Sequence, residues 1–269
     1  MYKRQAYTTE RGVEVAINDS RSVRGKALWD ILGRAGKKVV VQNVPLTYPC
    51  YPVNGVMVAG FPSPLKGFNT YPPELASQLE ERHKDYTVEI TYLKPEYKGL
   101  DEDRFVRELE LLLEKHYRLT IDLMERFEWD FYILVYGVID RIQHMMWRYL
   151  DPEYSSKDPN AERFKRAIEG LYQRVDRVLG DIMGRLSPED HIFLVSDHGF
   201  EPLRFYVGIN NWLLRKGWLK EKLSSRLLGS LNIDELYRAL YYQLNRLGLL
   251  KLIQLLPTRI SICLLYTSD

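Results

Sequence analysis

Two short stretches bring carboxylate and imidazole side chains together in a way that suits metal chemistry. In HIFLVSDHGFEP, residues 191–202, an apolar run rich in β-branched residues ends abruptly in Ser196-Asp197-His198-Gly199. Residues 192–195 have the pattern of a buried strand. Asp197 and His198 are therefore expected at a strand exit, where the loops of an open α/β sheet form the ligand crevice. Asp197 offers a hard oxygen and His198 a ring nitrogen, both of which zinc accepts, and Gly199 permits a sharp turn. The same tripeptide also caps ordinary strands. Upstream, the apolar run FYILVYGVI, residues 131–139, leads directly into Asp140-Arg141-Ile142-Gln143-His144. A helix beginning near Asp140 places its carboxylate and the His144 imidazole on one face, a turn apart. The plainer alternative makes Asp140 a helix N-cap and packs His144 among Met145, Met146 and Trp147. Two strand exits that each deliver an Asp and a His would supply four ligands for a two-metal centre, the device that clamps the attacking and leaving oxygens of a phosphoryl transfer. Carboxylate and imidazole donors suit zinc, with manganese as the alternative.

The elements that must position these residues follow from periodicity. Up to about Val23 the chain is polar, and Thr8, Thr9, Ser20 and Ser22 read as loop hydroxyls. Residues 25–36 form a helix pattern with Leu28, Ile31 and Leu32 at helical spacing and Gly36 as its terminator. Residues 38–44 read as a parallel core strand leaving into a proline- and tyrosine-rich loop, residues 45–52. There Tyr48 and Tyr51 either wall a substrate crevice or pack a surface loop. A short strand at 56–59, a short helix at 75–85 and a strand at 86–93 follow, with His83 and His116 read as exposed helix positions among charges. Residues 101–127 are strongly helical, with Phe105, Leu109, Leu112, Leu113 and Tyr117 on one face, and feed into the strand before Asp140. A second long helix, 159–186, carries Phe164, Ile168, Leu171, Val175 and Leu179 and feeds into the strand before Asp197. Strand, helix, strand at this rhythm predicts parallel βαβ crossovers, hence an α/β fold with a mostly parallel sheet flanked by helices. His191 begins its strand and points away from the exit, so it is not counted as a ligand. Beyond Phe200, residues 211–219 predict a compact helix, and the leucine- and tyrosine-rich stretch 231–256 reads as a cap or partner-facing helix ahead of a membrane-surface one.

Composition narrows the function classes. Lys and Arg number 38 against 36 Asp and Glu, a formal charge of +2, so no general affinity for nucleic acid polymers or anionic membrane is expected and phosphate binding must be local. No apolar run is long enough to span a bilayer. Only two Cys are present, which excludes a disulfide framework and leans toward a reducing, cytoplasmic compartment.

An Asp-x-x-x-His after one strand and an Asp-His-Gly after a later one resemble the alkaline phosphatase superfamily, specifically its type I phosphodiesterase and nucleotide pyrophosphatase branch. GKALWDIL (25–32), VVVQNVPLTYP (39–49), IDRIQHMMWRYLDP (139–152) and INNWLLRKGWL (209–219) look like members of that branch. The resemblance implies metal-dependent hydrolysis of phosphodiester or pyrophosphate bonds in a small phosphorylated substrate. Asp140 and His144 would hold one zinc-like ion, and Asp197 and His198 a second. It also implies a further metal-binding Asp and a Thr or Ser nucleophile well before residue 25, and a later His. Those positions have no counterpart here, so the chain is expected to be an inactive middle piece of an alkaline phosphatase-like fold, incomplete at both ends. On this reading residues 6–219 are a partial core and 220–262 a helical insertion or cap. Residues 1–5 and 263–269 resemble adapter-derived tails of metagenomic assemblies. A cofactor-independent phosphoglycerate mutase shares both metal motifs, although the match at 45–49 argues against it. A metal- or phosphate-binding domain without catalysis is the alternative of a different class. Substrate choice within such a fold belongs to loops whose specificity the sequence does not reveal.

Overall fold

The computed structural model describes residues 4–9, 12–90, 101–205 and 207–219. The chain divides into two compact units, residues 1–202 and 203–269. The first opens with a hairpin in which β1 (Arg4–Thr9) pairs antiparallel with β2 (Gly12–Ile17). This corrects the expectation of a polar loop there: Thr8 and Thr9 lie in β1. Gly12 at the turn side of β2 and the alternation of Val13 and Val15 with Glu14 were the strand signal. Ser20 and Ser22 sit in a 3₁₀ turn capped by Asp19.

The helix α1 (Leu28–Arg34) ends at Gly36, whose φ of +81° is the left-handed conformation that stops a helix without a Cβ penalty. Its Leu28 and Ile31 remain exposed. The central strand β3 (Val39–Gln42) follows, and its three valines are wholly buried because it has a parallel neighbour on each side. One neighbour is β4 (Gly55–Val58); a short strand, β5 (Thr70–Tyr71), joins antiparallel to β4. Then come α2 (Leu75–Arg82), α3 (Glu102–Arg126) and β6 (Phe131–Leu134), which pairs with the other side of β3. The sheet is thus mixed, in the order β5-β4-β3-β6. A side chain on Gly60 would meet the carbonyl oxygens of Asn43 and Val44 at 2.4 and 2.3 Å, so only glycine lets these two loops approach there.

Asp101 caps α3 through the backbone N–H of Arg104, and the helix then serves two cores. Phe105, Leu109, Leu112 and Leu113 pack with α4 (Val138–Met146) and α6 (Ala161–Met183), while Leu119 and Leu123 pack with Val40, Val56 and Val58 of the sheet. The short α5 (Pro152–Ser155) connects α4 to α6. At the far end of β3 the packing turns polar. Tyr132 donates to Gln42 Oε1 at 2.6 Å, Gln42 donates to the His116 carbonyl at 3.1 Å, and Tyr86 donates to Asn43 Oδ1 at 2.6 Å.

Four expectations are corrected. His116 is 2% exposed and His83 is a nearly buried helix C-cap beside Asp122, because α3 turns that face toward the sheet and α2. Residues 86–90 form no ladder beyond a single bridge between Thr87 and Lys66, although Tyr86, Val88, Glu89 and Ile90 are buried; residues 91–93 lie outside the described part. The strand predicted at 192–195 is absent: Phe193, Leu194 and Val195 are 81–84% exposed. A strand exists by pairing, and among the described residues no neighbouring backbone takes up the hydrogen bonds of this segment, so strand-forming residue types alone do not make one. Finally, β6 stops at Leu134 and α4 starts at Val138 behind an N-cap at Gly137, so Asp140 lies inside the first turn and is not the cap. The second unit contains α7 (Ile209–Arg215), which ends before Gly217 at φ +73° with Trp212 edge-on to Trp218. The predicted helix at 231–256 and the 220–262 cap lie outside the described residues. Among the described residues no helix is long and apolar enough to cross a membrane.

Candidate metal centre

The carboxyl end of β6 delivers α4 beyond the sheet edge, and the first turn of that helix presents Asp140. A carboxylate is favoured there because the unpaired N–H groups of a helix start carry partial positive charge. His144, four residues on, stands over it with Nε2 3.3 Å from Asp140 Oδ1. From the extended segment after α6, His198 brings its own Nε2 to 3.6 Å from the same oxygen. Members of the two pairs, more than fifty residues apart in sequence, therefore meet at one atom.

The electrostatics of that atom are unusual. Asp140 Oδ1 is buried and receives no hydrogen bond, while Oδ2 accepts from Arg141 Nη1 at 3.3 Å. His198 Nδ1 lies 3.0 Å from the Gly199 carbonyl, which can only accept, so the proton of the neutral ring sits on Nδ1 and the Nε2 lone pair faces Asp140. A proton on Nε2 or a cation between the two atoms would satisfy both. In a tetrahedral zinc site the ligand atoms stand roughly 3.4 Å apart, given metal–ligand bonds of about 2.0–2.2 Å. Both Asp140 contacts are near that edge length, so each of the two pairs is spaced as two ligands of one ion would be.

The set is partial. Asp197 is 84% exposed at its side chain and lies beside His198, Oδ1 to Nε2 at 3.8 Å. Among the described residues no three His, Cys, Asp or Glu side chains close on a common point as a complete ligand group. The contacts are pairwise and run through Asp140.

Three residues missed in the sequence shape the site. Phe200 packs its ring against His144 (4.8 Å between centroids), His198 (5.2 Å) and Trp147 (5.8 Å), joining the two stretches in place of the missing strand pairing. Arg141 donates from Nε to Glu89 Oε2 at 2.8 Å, and Glu89 Oε1 accepts from the Ile90 N–H at 3.0 Å. Burial disfavours the Arg141 charge, yet Glu89 and Asp140 hold its pKa above the ordinary arginine value. Phe200 follows Gly199 directly, which was a usable signal; Glu89 lay hidden in a supposed strand.

Tyr48 and Tyr51 stand apart from these contacts. Tyr51 accepts a hydrogen bond from Trp29 Nε1 at 2.8 Å and lines a groove of about 400 Å³ with Trp29, Asp30 and Arg34. Tyr48 is half-buried, and its carbonyl accepts from the Ser20 N–H. Among the described residues no hydrogen bond, ion pair or ring contact links either tyrosine to Asp140, His144, Asp197 or His198.

A mixed four-stranded sheet flanked by helices is an alkaline phosphatase-like α/β architecture. The family model for type I phosphodiesterase / nucleotide pyrophosphatase matches residues 1–247, and the chain belongs to that family, within the alkaline phosphatase superfamily. The family comprises phosphodiesterase- and pyrophosphatase-type hydrolases, generally metal-dependent, that act on small phosphorylated substrates. No curated protein and no solved structure matches the chain.

Proposed function

We propose that this chain carries the ion-binding part of a two-metal phosphodiesterase or nucleotide pyrophosphatase. Asp140 and His144 hold one divalent ion, Asp197 and His198 the other, and zinc is the ion that their donor types suit best. The observation that carries this reading is the buried Oδ1 of Asp140, without a hydrogen-bond donor and facing the imidazole nitrogens of both histidines. When bound, such ions neutralise phosphoryl charge and polarise the oxygens of an in-line displacement. The chain's own contribution is to fix the donors. The helix start holds Asp140, Phe200 holds both rings, and the Gly199 carbonyl sets the His198 tautomer.

We assign the attack on phosphorus to none of the described hydroxyls. Ser20 Oγ donates to the Pro49 carbonyl at 2.6 Å, and Thr47 Oγ1 donates to the Val44 carbonyl at 2.7 Å while accepting from the Gly60 N–H. Both are committed to holding loops. Tyr51 and its groove with Trp29 are proposed to contact the organic portion of the substrate, since an aromatic wall stacks on flat or apolar groups.

Calorimetric zinc titration tests the reading. The chain should bind zinc, and Asp140→Asn should weaken binding at least tenfold because it removes the anionic ligand that pairs with His144. Equal affinity in the variant would overturn the assignment.

A further inference from the structure

Asp140 is held from behind, and what holds it is a buried ion pair with no other evident duty. Arg141 extends its guanidinium between two carboxylates, donating through Nε to Glu89 Oε2 at 2.8 Å and through Nη1 to Asp140 Oδ2 at 3.3 Å. Glu89 is 7% exposed and lies within the non-ladder segment that follows the Thr87–Lys66 bridge. The Ile90 N–H satisfies its second oxygen. That segment is itself anchored to the sheet and to α3, since Tyr86 donates to Asn43 and His116 Nε2 donates to the Thr87 carbonyl at 2.9 Å.

We propose that Arg141, fixed by Glu89, is a positioning residue that occupies Oδ2 of Asp140 and so presents Oδ1 alone to the ion. The inference rests on the reading of Asp140 as an ion ligand. A guanidinium suits the task because it is planar and has donors on separate nitrogens, so one side chain spans two carboxylates with fixed directions. Glu89 cancels the charge that Arg141 would otherwise set beside a cation. With Oδ2 held, the carboxylate cannot rotate to bind through both oxygens or swing toward solvent. Residues of this kind behind a metal ligand typically alter affinity 10- to 100-fold when removed.

The test uses the full chain and three variants: Asp140→Asn, Arg141→Lys, and the double variant Glu89→Gln with Arg141→Gln. Arg141→Lys keeps the charge but offers a single nitrogen that cannot span both carboxylates. The double variant removes both charges of the Glu89–Arg141 pair, so Glu89 is not left buried and unpaired if the lysine variant proves unstable. Zinc affinity is read by calorimetry and the coordination of bound cobalt(II) by its visible absorption, with circular dichroism confirming the fold. The expected result is a 10- to 100-fold loss of zinc affinity and an altered cobalt spectrum in Arg141→Lys and in the double variant, both still folded. A merely structural ion pair would leave the cobalt spectrum of the folded variants unchanged. Wild-type affinity and spectrum in both folded variants, with Asp140→Asn impaired, would overturn the positioning role alone. Absence of binding by the wild type, or wild-type binding by Asp140→Asn, would overturn the metal reading and this inference with it.

Discussion

Lowering the pH from 7 to 5 should destabilise the chain by about 2 kcal/mol through one buried ring, His116. Its Nε2–H donates to the Thr87 carbonyl at 2.9 Å, and its Nδ1 is buried with no partner. Protonation would create a buried cationic N–H with nothing to receive it. Burial accordingly lowers the pKa from the ordinary 6.5 to about 4, against the opposing pull of the Thr87 carbonyl and Glu89. The sign follows from the direction. The unfolded chain takes up a proton near pH 6.5 while the folded chain resists until about 4, so stability is full above 6.5 and is lost as the pH falls through that window. Integrating between these values to pH 5 gives the figure of about 2 kcal/mol, and a maximum of about 3 kcal/mol below pH 4. Urea unfolding of wild type and of His116→Gln, each at pH 7 and pH 5, isolates the contribution because every other group titrates in both proteins. The glutamine amide can still donate to Thr87 but has no proton to gain. The wild type should lose about 2 kcal/mol more than the variant over this range. Equal losses would refute the account of His116.

Other perturbations test the remaining supports. Phe200→Ala should weaken zinc binding severalfold and leave the melting temperature nearly unchanged, since the ring joins His144 and His198 without entering either core cluster; a large drop in melting temperature with intact affinity would reverse its assigned role. Asp122→Asn should destabilise by about 1.5–3 kcal/mol in chemical denaturation, because burial works against this carboxylate while Arg82, His83 and Arg126 converge on it and hold its pKa below the usual range. A neutral effect would show the cluster to be ornamental. Gly60→Ala should cost at least about 1–3 kcal/mol, as its Cβ would overlap the backbone of Asn43 and Val44, and wild-type stability would mean that the loop relaxes freely.

Where burial follows periodicity, the sequence was legible. The face of α3 is written in Phe105, Leu109, Leu112 and Leu113, and the buried β3 in three successive valines. The nearness of Asp140 to His144 was legible too, as a four-residue spacing on one helix. What could not be read was pairing. Residues 192–195 have the composition of a core strand, yet whether they become one depends on a neighbouring edge and a covering layer, which no local pattern encodes. The histidines show the reverse error: His83 and His116 sit among charged neighbours in sequence, but helical geometry turns them away from those neighbours and toward the sheet side. Glu89 was invisible for a similar reason, since its partner Arg141 lies 52 residues away.

The charge balance around Asp140 sets an order of binding. Arg141 and Glu89 cancel, so the carboxylates of Asp140 and Asp197 are the negative charges beside the two histidines. Among the described residues, a phosphate group approaching this arrangement alone meets the carboxylates of Asp140 and Asp197, a repulsive encounter. Divalent ions invert that field, because the ion becomes the largest local charge and faces the incoming oxygens. Inorganic phosphate should therefore bind only after zinc. In isothermal titration, phosphate added to the chain in chelator should give no saturable heat, and the same addition after zinc loading should give a binding isotherm that Asp140→Asn abolishes. Phosphate binding of equal strength in chelator would mean that the site attracts anions through its own residues, and the charge argument for an ion-first order would fail.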